Sequence, residues 1–286
     1  MTDFSTNTNV YTQITDGVSY RLKAPFDFTF LGRYGRVFTV LDAQDSGNIC
    51  FGTDDGQKRY FVKYAGAPTL RAGLDAEEAI VNLKRSATVY RDLAHMNLVN
   101  VIDAEEIGGG YALIFDWVEG ECMGKMYPQS RAVFMQLSMP VKKQIYAEIL
   151  AFHVHVVERG YVAVDFYDGS IMYDSVHHKA VICDIDFYTK SPYVNDMGRM
   201  WGSSRFMSPE EFCLGADIDE VTNVYAMGAT AFALFGDETD RRIEKWGLGR
   251  VSFDVAKRAV SDNRSERQKS IRQLIDEWDS ASAARL

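Results

Sequence analysis

From Val221 to Gly236 the chain reads VTNVYAMGATAFALFG. At helical spacing this run is apolar nearly all round, so a helix made from it must be covered on every side. It is shorter than the ~20 apolar residues that cross a bilayer, and no stretch of the chain reaches that length. Protein therefore has to supply the cover. PVKKQIYAEILAFHVHVVERG is the first candidate, starting on Pro140, a good first-turn residue, and stopping at Gly160. VSFDVAKRAV and SIRQLIDEWDSA complete a closing helical layer.

The first half of the chain has a different rhythm. RVFTVL, NICFGT and RYFVKYA read as strands, the last two joined by the turn DDGQ. DAEEAIVNLKRSATVYRDL follows with a helical period, and LVNVIDAEEI and YALIFDWV return to strand. The expected class is α+β: a small antiparallel sheet with one inserted helix, then a mostly helical half. Residues 1–34 read as an N-terminal extension, 35–116 as the sheet lobe and 117–286 as the helical lobe. SIMYD and AVICDID form a short hairpin around SVHHK in the second half.

The chain has 286 residues, of which 47% are hydrophobic and 25% charged, enough for full cores. A formal net charge of -9 argues against general nucleic-acid binding, which needs a basic face. The four cysteines are far apart and form no C-x-x-C, which reads as mostly buried thiols in a reducing compartment. MTDFSTNTNV lacks the basic start and apolar core of a signal peptide. A cytoplasmic protein without membrane or nucleic-acid partners is expected.

Lys63 stands inside the apolar strand YFVKYA. It belongs either on the solvent face of an edge strand or, if buried with Phe61 and Ala65, beside an anion that offsets its desolvation. A phosphate or a helix carboxylate would serve.

YFVKY, AHMNLV, LIFDWVEGE, IDFY, GSSRFMSPEE, NVYAMGATAFALF and NRSERQKSIRQLI follow one another between about residues 35 and 280, in an order that resembles the protein kinase-like superfamily, and within it bacterial Ser/Thr kinases with altered loops. YFVKY is similar to V-A-I-K, and AHMNLV to H-P-N-I-V. LIFDWVEGE resembles a gatekeeper and hinge, with Phe115 as gatekeeper and Asp116 to Val118 along the adenine edge. IDFY resembles D-F-G with Tyr188 in place of glycine, and GSSRFMSPEE resembles G-T-x-R-Y-M-A-P-E. NVYAMGATAFALF is similar to D-V-W-S-L-G-V-x-L-Y-E-L, and NRSERQKSIRQLI to the closing P-x-x-R-x-T segment. The resemblance implies a bilobal kinase-like fold, ATP and Mg2+ as cofactors, and a hydroxyl acceptor on a protein or a small molecule.

LGRYGRV, from Leu31 to Val37, looks like the glycine-rich loop but lies too far from Lys63. One hairpin before the lysine the loop is LDAQDSGNI, in which Gly47 alone survives and Asp42 and Asp45 would repel phosphate. The resemblance calls for a helix carboxylate opposite Lys63. Glu77 and Glu78 both qualify, with Glu78 preferred, and both also suit the first turn of a helix through its dipole.

In VAVDFYDGSIMYD, Asp165 falls on the catalytic aspartate, with Ala163 and Val164 in place of His-Arg. That replacement removes the arginine that reads a phosphorylated activation loop. Ser170 falls on the metal-binding asparagine, and Tyr167 on a lysine. Asp168 could bind metal or a cationic substrate, or start the turn before Gly169. Asp186 matches the metal carboxylate, with Asp184 as a helper on the same side of an extended strand. Glu210 and Arg267 occupy the places of a buried ion pair, and Asn223 that of a buried aspartate. The pairs His153/His155 and His177/His178 read as a helix face and a turn, not a metal site.

The expected activity is transfer of the ATP γ-phosphate to a hydroxyl, most fittingly on a protein Ser or Thr. Lys63 would grip the phosphates, Asp186 with Ser170 would hold magnesium, and Asp165 would accept the proton. The alternatives are a kinase of an antibiotic or metabolite, and a catalytically weak pseudokinase that serves as a binding scaffold.

Overall fold

The structure is a computed structural model that describes residues 10–44, 46–70 and 75–283. The chain is α+β and divides into two compact units. One runs up to Arg91 and adds Asn100–Trp117; the other combines Asp92–Val99 with the chain from Val118 onward.

The first unit opens with a hairpin of β1 (Tyr11–Thr15) and β2 (Val18–Leu22). A five-stranded antiparallel sheet follows, built from β3 (Arg36–Leu41), β4 (Ile49–Asp54), β5 (Arg59–Ala65), β6 (Val101–Ile107) and β7 (Gly110–Asp116). Its order is β3-β4-β5-β7-β6, so β5 is the central strand. Helix α1 (Ala76–Asp92) is inserted between β5 and β6. Alternation along the strands sorts the faces. Ile49, Phe51, Val62, Tyr64, Ala112 and Ile114 point to one core.

Part of the stretch expected as an N-terminal extension packs into that core. Tyr20, Leu22, Phe28 and Leu31 are buried in it, and Phe28 packs on Phe51 at 4.8 Å between ring centroids. The scattered aromatics of a polar stretch pack on this face of the sheet. The opposite face carries Phe61, Lys63, Leu113 and Phe115, since Phe61 is paired with Phe115 and Lys63 with Leu113. Tyr90 of α1 packs on Phe115 at 5.0 Å.

In the second unit α4 (Glu220–Phe235) is the covered helix, buried at every position from Thr222 to Phe235. Around it lie α3 (Met139–Glu158), α5 (Arg250–Ala259) and α6 (Ile271–Ala283), with α2 (Pro128–Met135) before them. Gly228 sets the approach of α5: a Cβ there would fall 2.6 Å from the Ala259 Cβ. Tyr146 and Phe235 meet Trp278 at 4.8 and 5.6 Å.

Short strands carry the loops of interest. β8 (Gly120–Cys122), β10 (Ile171–Asp174) and β11 (Lys179–Ile182) form one antiparallel sheet in the order β11-β10-β8. β9 (Tyr161–Val162) pairs with β12 (Thr189–Lys190), and β13 (Tyr193–Val194) with β14 (Asp217–Ile218). Residues 92–99 join this unit through β11. Ile182 N–H donates to Asn97 O at 2.6 Å, and Val99 N–H to Ile182 O at 2.8 Å. Among the described residues no helix is long and apolar enough to cross a membrane.

Candidate functional site

In the first unit the expected residues fall in two surroundings. Lys63 is 7% exposed in the central strand, which removes the reading of a surface lysine on an edge strand. Glu77 and Glu78 are both exposed in the first turn of α1. Glu78 closes a capping box: its N–H donates to Asp75 Oδ1 at 2.7 Å, and its Oε2 accepts from Asp75 N at 3.4 Å. It takes the helix-start role that the sequence also allowed.

Gly47 lies in the loop that joins β3 and β4, buried and at φ +80°. Leu31–Val37 instead runs through a short 3-10 turn, Thr29–Tyr34, into β3. Asp42 is held by Arg21 of β2, whose N–H donates to its Oδ2 at 2.8 Å and whose Nε lies 3.4 Å away. The charge expected to repel phosphate is thus partly offset from the hairpin. Asp45 lies outside the described residues. Asp116 ends β7; its carboxylate takes Lys58 at 2.5 Å and Asn100 Nδ2 at 2.7 Å, and its N–H donates to Asn100 O. Val118, half-buried, opens the second unit.

The second unit holds the remaining residues, and the loop from Ala163 to Ser170 is anchored along its length. Asn223 on buried α4 makes a reciprocal amide pair with Ala163: Nδ2 donates to the carbonyl at 2.7 Å, and Oδ1 accepts the N–H at 2.9 Å. Phe166 packs edge-on to His153 at 4.4 Å. His153 is fully buried. Its Nδ1 lies 2.8 Å from Ile149 O, which can only accept, so the neutral ring presents Nε2 to the Tyr188 hydroxyl at 2.9 Å. Burial pushes this imidazole down to about 4. Tyr188 is thereby tied into the core.

Three non-glycine residues of this region have left-handed backbone: His178 in the β10–β11 turn at φ +53°, and two acids, Asp165 at φ +63° and Asp184 at φ +56°. Aspartate tolerates that conformation better than most residues, yet such positions concentrate at functional sites. The two acids act on the same neighbours. Burial raises the Tyr167 hydroxyl well above its ordinary range, and the charges of Asp184 and Asp165 add to the rise. Tyr188 is raised in the same way by burial, Asp165 and Asp184. Asp165 and Asp184 therefore share one electrostatic neighbourhood. Asp186 is half-buried two residues further on. Gly202, at φ +139°, lies against the first of them: a Cβ there would sit 3.6 Å from Asp165 Oδ1 and 3.1 Å from Met207.

Ser170 is completely buried, and among the described residues its Oγ has no hydrogen-bond partner. Its carbonyl accepts the N–H of Cys183 at 3.0 Å, which sets Ser170 beside the residue preceding Asp184. An orphaned buried hydroxyl is one oxygen that a hard cation could use, given a carboxylate within reach. Among the described residues no group of three or more His, Cys, Asp or Glu is placed to hold a metal. The fit therefore rests on carboxylate plus hydroxyl, and the histidines take structural places. His177 bonds Asp174 within the β10–β11 turn at 2.7 Å, and His155 stacks beside His95 at 5.1 Å.

Asp168 is the residue whose role the sequence left open. It is fully buried and taken by two arginines, Arg131 and Arg205, from α2 and from the chain before Pro209. Neither arginine was singled out from the sequence. Arg205 stands in GSSRFMSPEE, but nothing in that stretch names a partner twenty or more positions away. No family model matches this chain.

Proposed function

We propose that this chain is an ATP-dependent phosphotransferase of the bilobal, protein-kinase-like type, moving the γ-phosphate to a hydroxyl, with a protein Ser or Thr as the favoured acceptor. One observation carries the reading. Asp165 and Asp184 stand in left-handed conformations around the same two tyrosines, with the unsatisfied Ser170 hydroxyl one backbone hydrogen bond from Cys183. The antiparallel sheet with its single inserted helix, the buried central-strand Lys63 and the Glu210–Arg267 ion pair support it.

In this reading Asp165 orients the acceptor hydroxyl and takes its proton, a positioned transfer worth typically ~10² to 10⁴ in rate. Lys63 binds nucleotide phosphate. Ser170 and Asp184 hold Mg2+. This moves the metal carboxylate from Asp186, which the motif favoured, to the acid that shares surroundings with Asp165. Magnesium, when bound, draws charge from the phosphate oxygens. The four free cysteines suit a reducing, ATP-containing compartment, the cytoplasm.

The test is incubation of the purified protein with γ-labelled ATP and magnesium, with protein extract in one arm and a small-molecule fraction in the other. Label on protein supports the favoured reading. Label on a small molecule supports a metabolite or antibiotic kinase. Label nowhere, with nucleotide still bound, leaves the binding scaffold.

A further inference from the structure

Asp168 gathers chain from several distant places. Arg205 grips it with two nearly parallel bonds, Nη1 to Oδ2 and Nη2 to Oδ1, each 2.9 Å. Arg131 Nη1 adds a third at 3.1 Å. Both guanidinium groups continue to Glu238, at 2.5 Å from Arg205 and 3.5 Å from Arg131, and Lys125 closes the network on Glu238. Burying so many charges adds little net stability, because their desolvation offsets most of their attraction, and well-packed apolar residues often do as well. What a forked arginine–carboxylate pair supplies instead is a fixed orientation.

The orientation falls on a specific pair of segments. Asp168 lies three positions after Asp165, and Arg205 three after Gly202. Gly202 lies near the Asp165 carboxylate, where a Cβ would come within 3.6 Å of Oδ1. The loop and the segment thus meet at two points, and the ion pair sets the spacing at the other. Within the loop, Ser170 N–H donates to Tyr167 O at 3.0 Å across Asp168 itself.

We propose that Asp168 is a positioning residue: clamped by Arg205 and Arg131, it fixes the 165–170 loop against the 199–212 segment and so places Asp165 and Ser170. The clamp is made by side chains of the chain itself and needs no added group to close. Its catalytic consequence rests on the phosphotransferase reading; its structural content does not.

Asp168→Asn keeps the shape and loses the charge, while Arg205→Lys keeps the charge and loses the fork. Hydrogen exchange of the Ser170 and Cys183 amides is compared with that of α4 amides in each folded variant. The clamp predicts at least about tenfold faster exchange at Ser170 and Cys183, with α4 unchanged. Phosphotransfer should fall about tenfold or more in kcat, with the ATP KM within about twofold. Wild-type exchange at both amides, or acceleration of every amide together, overturns the proposal. Local acceleration in a protein whose wild type transfers no phosphate keeps the clamp and rejects the phosphotransferase. Should Asp168→Asn not fold, Arg205→Lys alone decides by the same readouts.

Discussion

Arg267 and Glu210 form a two-point ion pair, Nη1 to Oε1 at 2.7 Å and Nη2 to Oε2 at 3.0 Å, in which the arginine side chain is 0% exposed. Arg264 adds a third bond to Oε1 at 3.0 Å. Burial, the largest influence, would raise the Glu210 carboxyl, but the bonds and charge of Arg267, a backbone N–H and the Thr222 hydroxyl together hold the group below its ordinary range. Glu210→Ala leaves a buried guanidinium short of its partner and should cost roughly 3 to 5 kcal/mol. A denaturation midpoint equal to that of wild type would show that the pair carries no such weight.

Asn223 is matched to Ala163 as an amide. A carboxylate can accept from the Ala163 N–H but cannot donate to its carbonyl. Asn223→Asp therefore turns one buried bond into an oxygen–oxygen contact. A loss of about 1 to 3 kcal/mol is expected, the usual cost of a buried polar group left unmade. Equal urea midpoints for Asn223→Asp and wild type would refute the reciprocal pairing.

Two buried groups tilt stability against pH in opposite senses. Burial raises Glu211 to about 7, although the N–H and hydroxyl of Ser208 both donate to it. Its folded value lies above its unfolded one, so its contribution is complete below the ordinary 4.5 and is lost as pH rises towards 7. His153 is depressed from 6.5 to about 4, so its contribution is complete above 6.5 and is lost as pH falls. Between those limits the slopes oppose. Glu211→Gln removes one of them and should leave a stability that rises with pH from about 4 to 6.5, by roughly 3 kcal/mol at about 1.4 per unit. Urea denaturation at a series of pH values checks it, and a flat profile in the variant would exclude His153 as the source.

The helices were legible because their signals are local. The apolar run of α4, Pro140 near the start of α3 and Gly160 at its end each act within a few residues. Lys63 was legible as an anomaly, and its burial needed the sheet order, which places β5 at the centre. The packing of Tyr20, Leu22 and Phe28 was not legible because these residues look isolated until the face of β4 and β5 gathers them. Asp168 was ambiguous for a similar reason: an Asp-Gly pair reads as a turn, and Arg131 and Arg205 are each 37 positions away.

Asp184 and Asp186 were expected on one side of an extended strand, but β11 ends at Ile182, Asp184 has left-handed backbone and Asp186 lies in a turn, so their surroundings differ. Asp184 shares Tyr167 and Tyr188 with Asp165 and has the left-handed backbone. Asp184→Asn should remove most magnesium-dependent nucleotide binding, and Asp186→Asn should remove less. Calorimetric titration of both variants with ATP and magnesium decides between them. A larger loss at Asp186 would return the metal to the aspartate that the motif favoured.

Ser170 separates a ligand from a turn residue. A serine that caps a strand would make a hydrogen bond, and its loss would cost stability. Here the Oγ is buried and, among the described residues, unbonded, so the folded chain already bears the cost of leaving it unsatisfied. Ser170→Ala removes that cost. Without metal the variant should be as stable as wild type or more so. If Ser170 is a magnesium ligand, as the proposed function has it, the variant should need several times more magnesium for the same nucleotide binding, because a water must take the place of one oxygen. Thermal melts with and without magnesium measure both effects in one series. A variant that melts lower without metal and shows an unchanged magnesium dependence would make Ser170 a structural serine, and the cation would then have to be held by the aspartates alone.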